Sequence, residues 1–252
     1  MTKQAVFIHG MWSQPWVWDR WIEGFEQAGY QCTAVTLPGH GVSDPDSALA
    51  GLGLEDYVQA VVACVERLDE PVLVGHSLGG LIAQQAASRT PVKAAVLINS
   101  AAPAPIFPLR PSMVPGVIRH FLRWGLWEKS FRLSRWEAVY LLLNKMAPQQ
   151  RQAYAERLIA ESGRVVYQLG FGPLNLAGSN RVAVDRIRCP LLALSGVQDR
   201  IIPIGVSRRM ARLYGSRLDY WEYPEHAHWL LEEPGYQQRI SEVLAWLEHK
   251  IG

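Results

Sequence analysis

Short apolar runs alternate with longer amphipathic segments along most of this chain, and this alternation constrains the fold more than any other feature. The short runs are rich in β-branched residues or leucine and mostly apolar on both sides, as strands buried between helix layers are. The predicted strands are residues 5–9, 32–37, 72–75, 94–99, 191–195 and 218–223. The predicted helices between them are residues 18–28, 54–68, 78–88, 206–213 and 236–251. Such alternation predicts an α/β fold with a mostly parallel sheet and helices on both faces.

The alternation stops between residues 103 and 181. This segment opens with five prolines and contains helical patterns but no convincing strand. We therefore interpret residues 103–181 as a helical cap, or lid, inserted into a core formed by residues 1–102 and 182–252. The cap holds eleven Arg and Lys residues against four Glu residues, a net charge of +7, whereas the whole chain carries +2. A solvated face, steering of an anionic substrate, or contact with an anionic membrane surface would each fit this charge.

The composition excludes several other classes of protein. With 49% hydrophobic and 19% charged residues, the chain can bury a large core and is neither disordered nor fibrous. The near-neutral total charge and the absence of a phosphate loop, a nucleotide fingerprint or metal-ligand spacing predict no cofactor, no metal and no nucleic-acid partner. The three cysteines are widely spaced, and we recognise neither a signal peptide nor a membrane-spanning run. These features predict a soluble, cytoplasmic protein.

The segment Gly-His-Ser-Leu-Gly at residues 75–79 is the sharpest chemical signal in the sequence. A predicted strand precedes it and a predicted helix follows it, which is the setting of a nucleophile elbow. Glycines two residues before and two residues after Ser77 remove side chains that would clash in so tight a turn. The turn would also place the hydroxyl above the amino end of a helix, whose dipole favours developing negative charge. Ser77 is therefore the candidate nucleophile.

A serine hydroxyl is a weak nucleophile at neutral pH and needs a general base. Of the seven histidines, His226 and His228 follow the last predicted strand, whose carboxyl end can approach Ser77. We favour His228 as the base because it opens the last helical region directly, and we interpret His226 as a solvated or hydrogen-bonded loop residue.

The imidazole in turn needs a carboxylate that holds its tautomer and stabilises its cation. Asp199 follows the predicted strand at residues 191–195 and is the candidate for this role. Glu222 and Glu225 are weaker candidates, because they lie too close to His228 in sequence to come from a separate strand end.

The order Ser77, Asp199, His228 along the chain is that of an α/β-hydrolase triad. A His-Gly pair follows the first predicted strand at residues 9–10, and Leu-Pro-Gly-His-Gly follows the second at residues 37–41. With these motifs, the sequence resembles the serine hydrolases of the α/β-hydrolase fold, such as esterases and lipases, over nearly its whole length.

The resemblance implies further site residues and an activity. In the family, the residue after the His-Gly pair and the residue after the nucleophile donate backbone N–H groups to an oxyanion; here these are Met11 and Leu78. We expect Trp12 and His76 to line a pocket suited to an apolar acyl or aromatic group. The leading hypothesis is a cofactor-free hydrolysis of small-molecule carboxylic esters through the Ser-His-Asp triad and an acyl-enzyme.

Two other kinds of function use the same residues. The fold also resembles hydroxynitrile lyases, cofactor-free dioxygenases and acyltransferases. In the first two of these, His228 would act as a base and Ser77 would never be acylated. A non-catalytic ligand receptor is the third hypothesis, since some relatives keep an intact triad for binding alone. Covalent labelling of Ser77 separates hydrolases from lyases and oxygenases, and turnover separates enzymes from receptors.

Overall fold

The structure, a computed structural model, describes residues 2–171 and 178–252, and its centre is a six-stranded parallel sheet. The strands, in chain order, are β1 (Lys3–Ile8), β2 (Tyr30–Val35), β3 (Val72–His76), β4 (Ala94–Ile98), β5 (Ser130–Phe131), β6 (Glu161–Ser162), β7 (Leu191–Gly196) and β8 (Leu218–Tyr223). The large sheet has the order β2-β1-β3-β4-β7-β8, and every neighbouring pair is parallel. The predicted mostly parallel α/β fold is confirmed.

Helices connect the strands and cover the sheet. They are α1 (Asp19–Gln27), α2 (Leu54–Val65), α3 (Leu78–Ala87), α4 (Val114–Phe121), α5 (Arg135–Leu141), α6 (Pro148–Arg157), α7 (Gly163–Gly170), α8 (Ile204–Tyr214) and α9 (Tyr236–Ile251). Helix α1 packs on α9, and α2 packs on α3. Strands β3, β4 and β7 are buried along their whole length, which requires cover on both faces of the sheet.

The two outer strands differ from the buried ones. Four of the six residues of β2 and five of the six residues of β8 keep some exposure. The prediction that the strands are mostly apolar on both sides therefore fails at these edges, because an edge strand has a neighbour on one side only and tolerates polar residues.

Between β4 and β7 the chain leaves the sheet and forms α4 to α7. Strands β5 and β6 also lie in this segment and form a short antiparallel pair, with Phe131 opposite Glu161. The prediction of no strand there was wrong in this detail, because two-residue strands are too short to produce an alternating pattern. Residues 172–177 of the predicted cap lie outside the described residues.

The sheet topology brings the candidate site residues to one edge. β1 has β2 on one side and β3 on the other, so the chain reverses its direction of winding between them. Ligands of open α/β sheets bind outside the carboxyl ends of the strands at such a reversal. Met11 follows β1 and Ser77 follows β3 at this point. None of the described helices is long and apolar enough to cross a membrane.

Candidate active site

Ser77 lies in the tight turn between β3 and α3 with a strained backbone. Its φ is 55° and its ψ is −118°, a region that residues other than glycine rarely adopt. A Cβ on Gly79 would lie 2.1 Å from the carbonyl oxygen of Ile8, so only glycine fits there. The structure therefore contains the elbow geometry that the sequence predicts. Ser77 itself is only 4% exposed.

The loop after β1 passes directly beside the serine. A Cβ on Gly10 would lie 2.9 Å from the Cβ of Ser77, which leaves room for glycine alone. This contact places Met11 next to the turn. Within the described part of the chain, the N–H groups of Met11 and Leu78 donate no hydrogen bond to the protein. The Leu78 N–H opens α3 and has no acceptor inside its own helix.

His228 and Asp199 are joined by a direct hydrogen bond. His228 Nδ1 donates to Asp199 Oδ2 at 2.7 Å, and both side chains are almost fully buried. Asp199 follows β7, and His228 follows β8. The other carboxylate oxygen, Oδ1, accepts from the backbone N–H groups of Ile201 and Ile202 at 2.9 and 2.8 Å. Because Nδ1 is the donor, the lone pair of the neutral imidazole lies on Nε2.

Among residues 2–171 and 178–252, His228 bonds through Nδ1, and no hydrogen bond joins its Nε2 to Ser77 Oγ or either atom to another group. Both atoms are therefore uncommitted. Catalytic hydrogen bonds are often long without substrate and tighten once it binds.

His76, predicted to line the pocket, is buried and is not among the residues that line the cavity over Ser77. Its Nε2 donates to the carbonyl oxygen of His228 at 2.9 Å, and the two rings lie 4.7 Å apart. Burial, followed by the nearby His228, holds the pKa of His76 well below its ordinary value. The side chain of a strand residue points away from that of its successor, which is why His76 and Ser77 face different surroundings.

Asn99, which the sequence analysis did not select, anchors the loop that carries His228. Its Nδ2 donates to the carbonyl oxygens of Ala227 and His228 at 2.9 and 2.8 Å, and its Oδ1 accepts from Gly196 N–H at 2.8 Å. One amide thus joins the ends of β4 and β7 to the histidine loop. The sequence feature that could have pointed to Asn99 is its place as a polar residue directly after a buried strand.

Glu233 holds the same loop from the other side. Its buried carboxylate accepts from the N–H groups of Ala227 and Trp229 at 2.9 and 3.1 Å. His226 Nδ1 donates to it at 3.1 Å. His226 is therefore a hydrogen-bonded loop residue, and His228 is the histidine that Asp199 contacts.

His9 hydrogen-bonds to the loop that carries Met11. Its Nδ1 donates to the carbonyl oxygen of Gly10 at 2.9 Å, and its Nε2 accepts from Leu37 N–H at 3.4 Å. Burial, reinforced by the nearby charge of His40, lowers the pKa of His9 to about 3. His9 is thus a neutral structural residue at physiological pH.

An apolar cavity opens over Ser77 between the core and the cap. Its empty volume is about 590 Å³, including its open mouth. Trp12 is one of the residues that line it. The lining residues are Met11, Trp12, Ser77, Ala101, Ala102, Pro108, Leu109, Met113, Val117, Phe121, Val166, Leu169, Gly170, Ile201 and Ile202. Every side chain but Ser77 is apolar, so the reactive hydroxyl lies in a hydrophobic environment.

The chain is similar to known esterases and hydrolases in sequence and in fold. A pimeloyl-acyl-carrier-protein methyl ester esterase of Aromatoleum aromaticum is 30% identical to the chain over an alignment 258 positions long. The alignment covers 95% of this chain and 97% of the relative. Among solved structures, a pyrethroid hydrolase of Sphingobium faniae superposes with a TM-score of 0.75 at 18% identity, covering 100% of this chain and 99% of that one.

A monoacylglycerol lipase of Paleococcus ferrophilus superposes with a TM-score of 0.73 at 24% identity, covering 98% of this chain and 94% of the lipase. At such identities, the two solved structures support the fold alone. A sequence model described as the alpha/beta hydrolase family matches residues 5–237. This chain belongs to the alpha/beta hydrolase family.

Proposed function

We propose that Ser77, His228 and Asp199 hydrolyse a carboxylic ester through an acyl-enzyme. The observation that carries this proposal is the 2.7 Å bond from His228 to Asp199, at the same sheet edge as the strained Ser77 turn. The chain is a carboxylic ester hydrolase by its family and by its 30% identity to an esterase over 95% of its length. The triad and the acyl-enzyme are the proposed part.

The first half-reaction forms the acyl-enzyme. His228 Nε2 takes the proton of Ser77 as the hydroxyl oxygen bonds to the ester carbonyl carbon, and the carbonyl electron pair moves onto its oxygen. The tetrahedral intermediate then collapses, and the alcohol leaves with the proton from His228. Asp199 stabilises the imidazolium and keeps Nδ1 protonated throughout.

Water completes the reaction by the same route. His228 removes a proton from water, the hydroxide oxygen attacks the acyl carbon, and the Ser77 oxygen leaves with the proton from His228. In both steps, the free N–H groups of Met11 and Leu78 would hold the oxyanion. Each such donor typically contributes about 10²–10³-fold to kcat.

The cavity favours an apolar acyl or aromatic group. Among its lining side chains, only Ser77 carries a hydrogen-bonding hydroxyl, and the others exclude water from the reacting centre. Burial of an acyl chain against them removes apolar surface from water, which contributes about 25 cal/mol per Å². The substrate is therefore a small molecule whose ester carbon lies at Ser77 and whose apolar part extends between α4 and α7.

Covalent labelling tests this proposal. A fluorophosphonate probe should modify Ser77, as located by mass spectrometry of the peptides, and Ser77→Ala should abolish the labelling. A panel of esters, thioesters and monoacylglycerols should then show turnover that is highest for apolar acyl or aromatic groups. Folded protein that resists the probe would contradict the acyl-enzyme and favour a lyase or oxygenase, in which His228 acts alone. Labelling and ligand binding with no turnover would favour a receptor.

The outer face of α4 is apolar and exposed to solvent. Val114, Ile118 and Leu122 recur every fourth residue and are 48%, 47% and 77% exposed, and Trp124 beyond them is 86% exposed. The adjacent face of the helix contributes Val117 and Phe121 to the cavity. Four basic residues lie close to this face in sequence, and one of them, Arg119, is paired with Glu137: Arg110, Arg119, Arg123 and Lys129. We propose that the face contacts an anionic lipid surface, which its charge complements.

Vesicle flotation tests the lipid contact. The protein should float with phosphatidylglycerol vesicles at low salt, and less with phosphatidylcholine vesicles or at high salt, because salt screens the basic residues. Leu122→Ser should weaken flotation several-fold. Leu213→Ser, at an exposed leucine of α8, is the matched control and should leave it unchanged. Absence of flotation at every salt concentration would refute the contact.

A further inference from the structure

The carboxylate of Glu161 is completely buried between the cap and the core. Its Oε1 accepts from the Tyr57 hydroxyl at 2.8 Å and from the Ser162 N–H at 2.7 Å. Its Oε2 lies 3.3 Å from His40 Nε2 and accepts from the Trp12 N–H at 3.3 Å. One cap side chain therefore joins three separate segments of the core: the loops after β1 and β2, and helix α2.

His40 faces this carboxylate within the same buried cluster. Its Nδ1 donates to the carbonyl oxygen of Pro38 at 3.0 Å, so both ring nitrogens face oxygen acceptors. Burial alone would lower the pKa of His40, but the attraction and hydrogen bond to Glu161 outweigh it and raise the pKa above its ordinary value. Removing either partner would leave a buried group without its counter-charge.

The cap holds Trp12 at both of its backbone polar groups. The N–H donates to Glu161, and the carbonyl oxygen accepts from the Ile159 N–H at 2.9 Å. Trp12 has a φ of 59°, which is unfavourable for so bulky a residue and persists only where the surroundings hold it. The Trp12 N–H belongs to the same peptide group as the Met11 carbonyl, so fixing it also fixes the backbone at Met11.

We propose that Glu161 is a positioning residue of the oxyanion hole, acting through Trp12 on the Met11 N–H. This inference rests on the proposed function, in which the Met11 N–H stabilises the oxyanion. Glu161 itself does not line the cavity. The cap would then support the chemistry of the core and not only cover the substrate.

Replacement of Glu161 by glutamine tests the assignment. The glutamine amide keeps the shape of the side chain, but its NH2 group cannot accept a hydrogen bond. The groups that now donate to one of the two carboxylate oxygens would therefore lose their acceptor. We expect kcat to fall about 10- to 100-fold, less than for the loss of a whole oxyanion donor. KM should stay within about threefold, because the oxyanion exists only in the transition state and not in bound substrate.

A trifluoromethyl ketone provides a readout that a structural role would not move. Its carbonyl carbon bonds to the Ser77 oxygen, the serine proton passes to His228, and the carbonyl electrons form an oxyanion. The inhibition constant for the Glu161→Gln enzyme should therefore rise by about the same factor as kcat/KM falls. General loosening of the cap would instead raise KM.

Glu137→Gln is the matched control. Glu137 is also a buried carboxylate of the cap and accepts hydrogen bonds from Arg119, His120 and Ser134. It makes no hydrogen bond to Trp12 in the described residues. Glu137→Gln should therefore keep the wild-type kcat and the wild-type inhibition constant.

Three results would overturn the proposal: a folded Glu161→Gln enzyme with kcat within twofold of wild type, a loss confined to KM, or an equal loss in Glu137→Gln. If Glu161→Gln does not fold, Ile159→Pro is the second variant, because it removes the other hydrogen bond to Trp12. The kcat, KM and control results named above for Glu161→Gln then apply to Ile159→Pro. Failure of the proposed function would be seen in the wild-type protein, which would then neither be labelled at Ser77 nor hydrolyse esters.

Discussion

Ser77→Ala is expected to lower the turnover of a short-chain aryl ester by roughly a thousandfold or more. Without the hydroxyl no acyl-enzyme can form, and the remaining rate comes from binding and the oxyanion donors alone. Steady-state kinetics with an aryl ester at neutral pH measures the effect. The loss should fall on kcat, because the serine oxygen contributes little to binding of the ground state.

The variant should still fold. The backbone at residue 77 has a φ of 55° with either side chain, and Ser77 Oγ makes no hydrogen bond in the described structure that alanine would remove. Ser88→Ala, at the end of the same helix α3, is the control and should keep the wild-type rate. A Ser77→Ala enzyme that retains most of its activity would refute Ser77 as the nucleophile.

Asp199→Asn is expected to lower kcat by about 10³- to 10⁴-fold with little change in fold. Asp199 Oδ1 accepts from the N–H groups of Ile201 and Ile202, so an asparagine would keep its oxygen at that position. Its NH2 group would then face His228 Nδ1, where Oδ2 lies now. An imidazole that accepts at Nδ1 carries its proton on Nε2 and cannot take the proton of Ser77.

Two measurements check this reasoning. Kinetics of Asp199→Asn should show the loss in kcat, and the melting temperature should show that the fold is intact. Glu222→Gln is the control, since Glu222 was the competing carboxylate and its oxygens lie 2.7 Å from Arg208 Nε and Nη2. Wild-type activity in Asp199→Asn, or an equal loss in Glu222→Gln, would remove Asp199 from the mechanism.

Local chemistry made the segments of the proposed triad recognisable in the sequence. The elbow at Ser77 needs glycine at position 79 for steric reasons that act over a few residues, so the motif is readable in the sequence. Asp199 and His228 were predictable because parallel strands place the residues after their carboxyl ends at one edge. The parallel sheet itself followed from the period of the apolar residues.

Contacts between distant segments were not predictable in the same way. Asn99 and Glu161 have ordinary sequence neighbours, and most of their partners lie far along the chain. A carboxylate or amide in a loop is usually solvated, and only packing shows which one is buried. Proximity to Ser77 in sequence likewise does not determine the direction of the His76 side chain, whose Nε2 bonds to the carbonyl oxygen of His228.

The amino-acid sequence by itself determined the layered α/β architecture and the turn that exposes a serine, since both follow from periodicity and from steric limits on neighbouring residues. Only the tertiary structure decided that Asn99 holds the His228 loop, how Ile159 and Glu161 hold the backbone of Trp12, and which residues line the cavity. Those features depend on residues that are distant in sequence and come together only when the sheet and the cap pack, so no local pattern encodes them.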